Sequence, residues 1–326
     1  MNSSSDARLL RALDSLEGLS VGDAFGEQFF LSNSLALRIL DSPELDITAT
    51  SSEDEFILTE LVDLRRIDYT DPVWKWTDDT ALAVEIVAEL RDNGQINPDS
   101  LAHRFSKRYI SQPNRGYGGA MHTLLPQLRT QSWQVAAQSL FDGEGSYGNG
   151  SAMRVPPLGA YFADDFDLLV EQARLSAIVT HSHDEGIAGA IATAVATGIA
   201  ARLREEEAEI EPPDFLNQII QYTPASEVKN RLIECRDFPE NYTNEQVASI
   251  VGSGLAVACQ DTVPFCCWCA ATPESVYFSE ALWLTVAGLG DRDTTCAIVG
   301  GIVGARVGKD EIPDEWHARR EPLPKF

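Results

Sequence analysis

The sequence predicts an all-α protein organised as a single domain, and three observations support this class. Apolar residues recur at helical spacing through most of the 326 residues, as they do at Leu9, Leu13 and Leu16. Only a weak pair of strands is indicated, at about 56–68. The chain is 44% apolar, which is enough for one continuous core over residues 1–326.

Helix-terminating residues separate the predicted helices. Thr77 precedes an apolar periodic stretch, about 81–90, that stops at Asn93-Gly94, as is typical of helix ends. The run Glu205–Glu207 with Pro212-Pro213 is interpreted as a solvated loop inside the domain, not as a domain boundary. The other predicted helices cover about 98–110, 120–140, 167–204 with a polar break at 180–184, 213–221, 225–234, 244–258, 273–287 and 294–308, before a mostly irregular tail.

Small residues repeat at every fourth position in two of these helices, and each set therefore lies on one helix face. Because glycine inside a helix costs about 1 kcal/mol relative to alanine, the repetition indicates that neighbouring backbones approach closely. Charged and polar neighbours favour buried helices of a soluble protein over membrane helices. The two sets are Gly186, Ala190, Ala194 and Gly198, and Gly300, Gly304 and Gly308.

Charge and composition exclude several kinds of partner. The chain has 25 Lys and Arg against 50 Asp and Glu, so its formal net charge is −25. Nucleic-acid backbones and anionic membranes repel such a protein, and neither is expected as a general partner. Met1–Asp6 is polar and lacks a signal-peptide core, and we see no membrane span. The six cysteines, three of which lie within Cys266–Cys269, are expected to be buried and reduced, as in the cytoplasm.

Two short acidic runs are the most informative feature of the sequence. Thr77–Thr80 and Asp291–Thr294 each place two aspartates beside threonines, directly before an apolar helix. One interpretation is that both runs cap helices, because Thr and Asp accept hydrogen bonds from the first free N–H groups. The other is that they meet in space and hold one or two divalent cations, since hard oxygen ligands suit Mg²⁺, Mn²⁺ or Ca²⁺.

Two other segments carry titratable groups. In Gly22–Glu27, Asp23 is a candidate cap or orienting acid and Glu27 a candidate catalytic carboxylate, although each residue alone is more often structural. His181 and His183 are one residue apart, which does not place both on one helix face. We therefore expect hydrogen bonding to substrate or to the acidic centre from these histidines, not metal ligation.

Glycine-rich loops supply candidate binding surfaces. The loop Gly145–Ser151 can present backbone N–H groups to phosphates, although it is not a Walker sequence and a plain turn is the alternative. Gly116-Tyr117-Gly118 offers a second such surface, with an aromatic ring that can stack on a base.

Six motifs, taken in chain order, resemble those of the ADP-ribosylglycohydrolase family, which includes the dinitrogenase reductase-activating glycohydrolases. The similarity spans about residues 8–308, and six motifs in order are much more specific than any one alone. The resemblance implies a compact, orthogonal multi-helix bundle around a binuclear metal centre. The motifs are Gly22–Gly26, Trp76–Thr80, Gly116–Gly118, Ser146–Arg154, Thr180–His183 and Gly290–Thr295.

The activity that the resemblance implies is hydrolysis of the bond between ribose C1″ of ADP-ribose and a protein side chain, with arginine favoured over serine. The implied cofactor is Mg²⁺, as two ions, with Mn²⁺ as an alternative, and the implied partner is an ADP-ribosylated protein. The candidate catalytic residues are Asp79 and Glu27, the latter as the acid nearest to a family position that this chain does not match. The implied metal ligands are Thr77, Asp78, Asp79, Asp291, Asp293 and Thr294, and the implied substrate-binding residues are Gly116, Tyr117, Gly118, Ser146, Tyr147, Gly148, Asn149 and His181.

The chain departs from the family pattern at one position. Many members carry a glutamate seven residues after the aspartate of the Gly-Asp-Ala motif, where this chain has Phe30. Either Glu27 or an acid within 44–60 takes that role, or the activity is altered. Two other functions therefore stay open: a non-catalytic ADP-ribose-binding or crystallin-like protein, and a metal phosphohydrolase acting on a nucleotide. We also expect the Arg292 side chain to point away from a metal that Asp291 and Asp293 both face.

Overall fold

Helices make up the regular structure of the computed structural model, which describes residues 3–30, 65 and 73–325. Within these ranges the only β pairings are two isolated bridges, between Trp74 and Arg320 and between Gly148 and Ala258. The all-α prediction is confirmed. The weak strand pair predicted at 56–68 lies outside the described residues, apart from Arg65.

Fifteen α-helices lie in the described part of the chain, joined by loops and four short 3-10 turns. In chain order they are α1 (Ser3–Glu27), α2 (Asp78–Asn93), α3 (Pro98–Ser111), α4 (Met121–Gln127), α5 (Trp133–Gln138), α6 (Pro156–Tyr161), α7 (Phe166–Ile178), α8 (Asp184–Glu205), α9 (Pro212–Tyr222), α10 (Glu227–Arg236), α11 (Asn244–Val251), α12 (Cys259–Ala271), α13 (Phe278–Val286), α14 (Arg292–Val307) and α15 (Asp314–Arg319).

The closest helix pair is α1 with α14, and glycines line their crossing. A Cβ atom on Gly18 would overlap the carbonyl oxygen of Gly300, and one on Gly22 would overlap that of Cys296. Because only a hydrogen atom fits at these positions, the two backbones touch. The predicted close approach is confirmed for Gly300 and also for Gly304, which meets Gly18.

The second set of small residues lies on α8, which is buried along most of its length. Ala194 packs against Gly159 of α6, and Gly198 packs against Leu169 of α7. Gly308 differs from the other members of its set, because it ends α14 as the C-cap with φ 88° and does not belong to the helix face. Helix α8 is long and apolar enough to cross a membrane, but 89% of that stretch is buried inside the protein, as in the core helix of a soluble protein.

Several predicted boundaries are confirmed and others are wrong for identifiable reasons. Thr77 caps the start of α2, and Gly94 ends it in the left-handed conformation, as predicted. The helix predicted at 244–258 stops at Val251, because Gly252 and Gly254 both take positive φ values. The sequence analysis missed α12, whose cysteines carry little helical signal, and α15 in the tail. All six cysteines are free and buried, as expected.

Candidate active site

Both acidic runs reach one cavity of about 340 Å³. Asp78 and Asp79 come from the N-terminus of α2, and Asp291 and Asp293 from the N-terminus of α14. These four aspartates all line the cavity, and we call them the acidic wall. Thr294 lines the cavity beside them. Two segments far apart in the sequence are thus adjacent in the fold, as the metal-site interpretation requires.

Helix capping explains part of the acidic wall but not all of it. Thr77 is the N-cap of α2, and its hydroxyl donates to Asp79 Oδ2 at 2.9 Å. The other carboxylate oxygen, Asp79 Oδ1, is buried and has no hydrogen-bond partner among the described residues. The same holds for Asp293 Oδ1. Buried oxygens without partners are rare in folded proteins, so these two oxygens point to a ligand.

Asp23 lies behind the acidic wall and holds the start of α2. Its fully buried carboxylate accepts hydrogen bonds from the backbone N–H groups of Thr77 (2.9 Å) and Thr80 (3.1 Å). Burial raises the pKa of Asp23 to about 6, although these hydrogen bonds oppose the rise. Asp23 is therefore an orienting acid that contacts the metal-candidate segment, not a member of the cavity lining.

Burial and concentrated negative charge raise the pKa values of the aspartates in the acidic wall. Burial, and then the charge of Asp23, raise the pKa of Asp78 to about 8. Burial and neighbouring carboxylates also raise the pKa values of Asp79 and Asp293 well above their usual range. A divalent cation would relieve this repulsion, so the donor set fits Mg²⁺ or Mn²⁺ chemically. In the present arrangement of residues 3–30, 65 and 73–325, no group of three or more His, Cys, Asp or Glu side chains lies close enough together to hold a metal ion.

Another part of the cavity lining is built from loops, and we call it the loop wall. Gly145 has φ 77°, and a Cβ there would collide with Ser182, so this turn accepts only glycine. The Asn149 N–H donates to the Val257 carbonyl, and the Cys259 N–H donates to the Tyr147 carbonyl. The loop wall consists of Gly116, Gly118, Phe141, Ser146, Tyr147, Gly148, Asn149, Gly150, His181, Ala256 and Val257.

An exposed aromatic pair stands at the edge of the loop wall. The rings of Phe141 and Tyr147 are stacked, with centroids 6.2 Å apart and planes at 28°. The side chains are 53% and 44% exposed, so their faces are available to a planar ligand. Tyr117, which was predicted to stack on a base, is instead buried, packs edge-on against Tyr109 and does not line the cavity.

Asn149 joins the two walls. Its side-chain amide donates to Asp291 Oδ2 at 2.7 Å and to the Thr262 hydroxyl at 3.1 Å. The side chain is buried, so these hydrogen bonds are shielded from water. The loop wall therefore fixes the direction of one carboxylate of the acidic wall.

The two histidines of the Thr180–His183 motif have different environments. His181 is buried, lines the cavity and is hydrogen-bonded through Nδ1 to the Thr180 hydroxyl. Burial, reinforced by the charge of Arg154, lowers its pKa well below the usual value. His183 instead caps α8, where its Nδ1 accepts from the Glu185 N–H.

Glu27 lies near the acidic wall but outside the cavity lining. It is the last residue of α1, and burial together with the charge of Asp23 raises its pKa to about 7. The Arg292 guanidinium lies over the ring of Phe30, 4.2 Å from its centroid, and does not line the cavity. The expectation that Arg292 points away from the acidic wall is confirmed.

The sequence analysis missed Phe141 and the Ala256-Val257 segment. Phe141 belongs to no motif; its backbone takes a positive φ of 52°, and its ring stacks on Tyr147. Val257 was placed inside a predicted helix, although Gly252 and Gly254 were available as signals of a loop.

The chain matches proteins of known family along nearly its whole length. The sequence profile of the ADP-ribosylglycohydrolase family matches residues 4–324, so the chain belongs to that family. ADP-ribosylhydrolase ARH3 of Xenopus tropicalis is 30% identical over an alignment of 304 residues, and the match covers 83% of this chain and 85% of that protein. ADP-ribosylhydrolase ARH3 of Homo sapiens is 30% identical over 274 residues, covering 74% of this chain and 73% of the human protein.

A solved structure supports the fold. It is described as an ADP-ribosylglycohydrolase-related protein complex, and it covers 95% of this chain and 92% of its own length with a TM-score of 0.62. The sequence identity is 22%, so the match concerns the fold alone.

Proposed function

We propose that the protein is a divalent-metal-dependent hydrolase that cleaves the C1″ glycosidic bond between ADP-ribose and a protein side chain. The observation that carries this proposal is the pairing of four aspartates at two helix N-termini with a loop wall across a cavity of about 340 Å³. That volume suits a nucleotide-sized ligand. Similarity to ADP-ribosylhydrolases supports the same substrate class.

The residues proposed as metal ligands are the acidic wall together with Thr77 and Thr294. The unpartnered oxygens of Asp79 and Asp293 are the strongest support, because each is a buried acceptor without a donor in the described part of the chain. When bound, Mg²⁺ or Mn²⁺ would polarise sugar hydroxyls and lower the pKa of a water molecule.

The loop wall is proposed to hold the nucleotide. The Ser146–Gly150 loop is proposed to face the diphosphate, with donors other than the N–H groups of Gly148 and Asn149, which are already bonded to Ser146 Oγ and the Val257 carbonyl. The partly exposed rings of Phe141 and Tyr147 are suited to stacking on the base. Asn149 keeps this binding surface in register with Asp291. The ribose next to the scissile bond would then face the acidic wall.

The reaction adds water across the bond, with the hydroxyl going to C1″ and the proton to the departing side chain. Glycosidic cleavage passes through an oxocarbenium-like state, which nearby carboxylates stabilise. We propose Asp79 for this role and Glu27 as general acid or base. A pKa of about 7 suits Glu27 to proton transfer at neutral pH, although its place outside the cavity lining requires a water molecule between it and the substrate.

The test is release of ADP-ribose from two synthetic peptides, one ADP-ribosylated on arginine and one on serine, with Mg²⁺ or with a chelator. Metal-dependent release from either peptide is expected, and the same assay decides the prediction that arginine is favoured over serine. ADP-ribose binding without release from either peptide would support the non-catalytic alternative. Release of AMP would support the phosphohydrolase.

A further inference from the structure

A fully buried arginine stands behind the loop wall and has no assigned role. Arg154 is 0% exposed, and its guanidinium lies over the face of Phe105, 4.5 Å from the ring centroid. Its Nη2 donates to the Ser176 carbonyl at 3.0 Å and to the Thr180 hydroxyl at 2.7 Å. Nε and Nη1 have no hydrogen-bond partner within the described ranges. Burying a charge so incompletely paired is costly, so a compensating role is expected.

The hydroxyl of Thr180 has only one arrangement that satisfies its neighbours. It accepts from Arg154, and it is 2.7 Å from His181 Nδ1. A hydroxyl carries one proton, and Thr180 is completely buried, with no other hydrogen bond from its hydroxyl to the described residues. The proton must therefore point at Nδ1, because the reverse direction would leave a buried donor unpaired.

We propose that Arg154, acting through Thr180, is a positioning residue that fixes His181 as the neutral tautomer with its proton on Nε2. This inference rests on the proposed function for its ligand, ADP-ribose, but not for the tautomer itself. Because Nδ1 is occupied by Thr180 and the ring lines the cavity, the Nε2–H donor faces the bound ligand. Its partner would be an oxygen acceptor, such as a phosphate or sugar oxygen.

Glycines around the ring support a fixed orientation. A Cβ atom on Gly150 would lie 3.0 Å from His181 Nε2, and one on Gly148 would lie 3.4 Å from the same atom. A Cβ on Gly186 would lie 3.1 Å from the His181 Cβ atom. The ring thus occupies a slot that larger residues would close. Burial and the charge of Arg154 also lower the pKa of His181, which keeps the ring neutral.

The first test is nitrogen NMR of the complete protein carrying ¹⁵N-labelled histidine, without ADP-ribose or metal. The chain has five histidines, and a His181→Gln variant assigns the signal of interest. The expected result is a neutral imidazole with the proton on Nε2. A proton on Nδ1, or an equal mixture of tautomers, would overturn the proposal.

The second test compares two variants at one position. Thr180→Val keeps the shape but removes the hydroxyl. It is expected to allow both tautomers of His181 and to raise the Kd for ADP-ribose in inverse proportion to the remaining Nε2–H fraction, about twofold for an equal mixture. Thr180→Ser keeps the hydroxyl and is expected to restore the single tautomer and the wild-type Kd. In Arg154→Met, both tautomers of His181 should be populated. Equal tautomer populations in wild type and Thr180→Val would contradict the proposal.

The outcomes separate this inference from the proposed function. If the wild-type protein shows the Nε2–H tautomer but does not bind ADP-ribose, the proposed function fails and the tautomer assignment stands. If ADP-ribose binds equally well to wild type and Thr180→Val, the positioning role fails and the proposed function stands. Thermal unfolding of each variant checks that the comparison is made on folded protein.

Discussion

The two walls of the cavity are built in different ways. The acidic wall stands on helix N-termini, and behind it α1 and α14 touch through Gly18 and Gly22. The loop wall is held mainly by hydrogen bonds between loops, such as the one from the Asn149 N–H to the Val257 carbonyl, together with the close contact of Gly186 in α8 with the Ser146 carbonyl. Backbone-to-backbone helix contact holds atoms within narrow limits, as a metal centre requires, whereas a loop can adapt to a ligand.

This difference predicts separable effects. Changes in the acidic wall should abolish metal-dependent activity, and changes in the helix crossing should lower stability. Changes at the aromatic pair should weaken nucleotide binding alone. Among the described residues, Asn149 is the one side chain that hydrogen-bonds from the loop wall to the acidic wall, at Asp291, so it limits how independent the two walls are.

The largest effect is expected from Asp79→Asn. Removal of one carboxylate from the acidic wall should lower ADP-ribose release by about 100-fold or more, because ligand loss exceeds the 10–100-fold typical of outer-shell changes. In the presence of a chelator, the free energy of unfolding should be unchanged or higher, since the repulsion between the remaining aspartates of the acidic wall falls. Steady-state kinetics and thermal unfolding measure the two quantities.

A matched control separates metal ligation from helix capping. Asp167 is an exposed acid in the first turn of α7 and lies outside the cavity. Asp167→Asn should leave activity unchanged. If Asp79→Asn kept full activity and only lost stability, as a capping residue would, the metal-site interpretation would be wrong.

The next effect is expected at the helix crossing. In Gly22→Ala the added Cβ would meet the Cys296 carbonyl, and overpacking of this kind costs about 1–3 kcal/mol. Denaturant unfolding measures the change in the free energy of unfolding. At Gly119 a Cβ would meet nothing within 4 Å, so Gly119→Ala serves as the control for stability. Equal stability of the two variants would contradict the proposed backbone contact.

A smaller effect is expected at the aromatic pair. Tyr147→Ala removes one stacking surface, which is worth about 1–3 kcal/mol per base, so the Kd for ADP-ribose should rise about tenfold. Mg²⁺ binding should not change, because the ring of Tyr147 packs against Phe141 and His183 and has no hydrogen bond to the acidic wall in the described part of the chain. Calorimetry gives both constants. Tyr277→Ala, at an aromatic 67% exposed and outside the cavity, is the control. A parallel loss of Mg²⁺ affinity would show that the walls are not separable.

The smallest expected effect is a change of protein stability with pH in the presence of a chelator. The pKa values of Asp23, Glu27 and Asp78 are raised to about 6, 7 and 8. At these three groups the folded protein binds more protons than the unfolded chain above pH 4, so the stability that they contribute should fall as pH rises from about 4 to 8. Saturating Mg²⁺ should reduce the fall. Thermal unfolding across this range measures it, and a slope of opposite sign would contradict the shifts.

The acidic wall was largely predictable from the sequence. Its aspartates sit at helix starts, and Thr77 and Gly94 are local signals that need no knowledge of the fold. The helix crossing was also visible, because the glycine spacing of α14 only makes sense if another backbone approaches. Local rules work where a residue's role depends on its own helix.

The loop wall was only partly predictable. The Gly145–Ser151 loop was recognised, but Phe141 and Val257 reach the cavity through positive φ angles that no sequence pattern marked. Tyr117 was predicted to present its ring to a base because it stands between glycines, yet its ring packs edge-on against Tyr109. The link between Asp23 and the start of α2 joins distant segments, so spacing could not reveal it.

The central claim is that the acidic wall holds metal while the loop wall holds the nucleotide. Anomalous diffraction from crystals grown with Mn²⁺ and ADP-ribose tests it most directly. We expect Mn²⁺ peaks in contact with Asp79 and Asp293, and the adenine stacked on the ring of Phe141 or Tyr147. The distal ribose should lie between the Mn²⁺ ions and the adenine. Mn²⁺ peaks away from these aspartates, or ADP-ribose bound outside the cavity, would contradict the account.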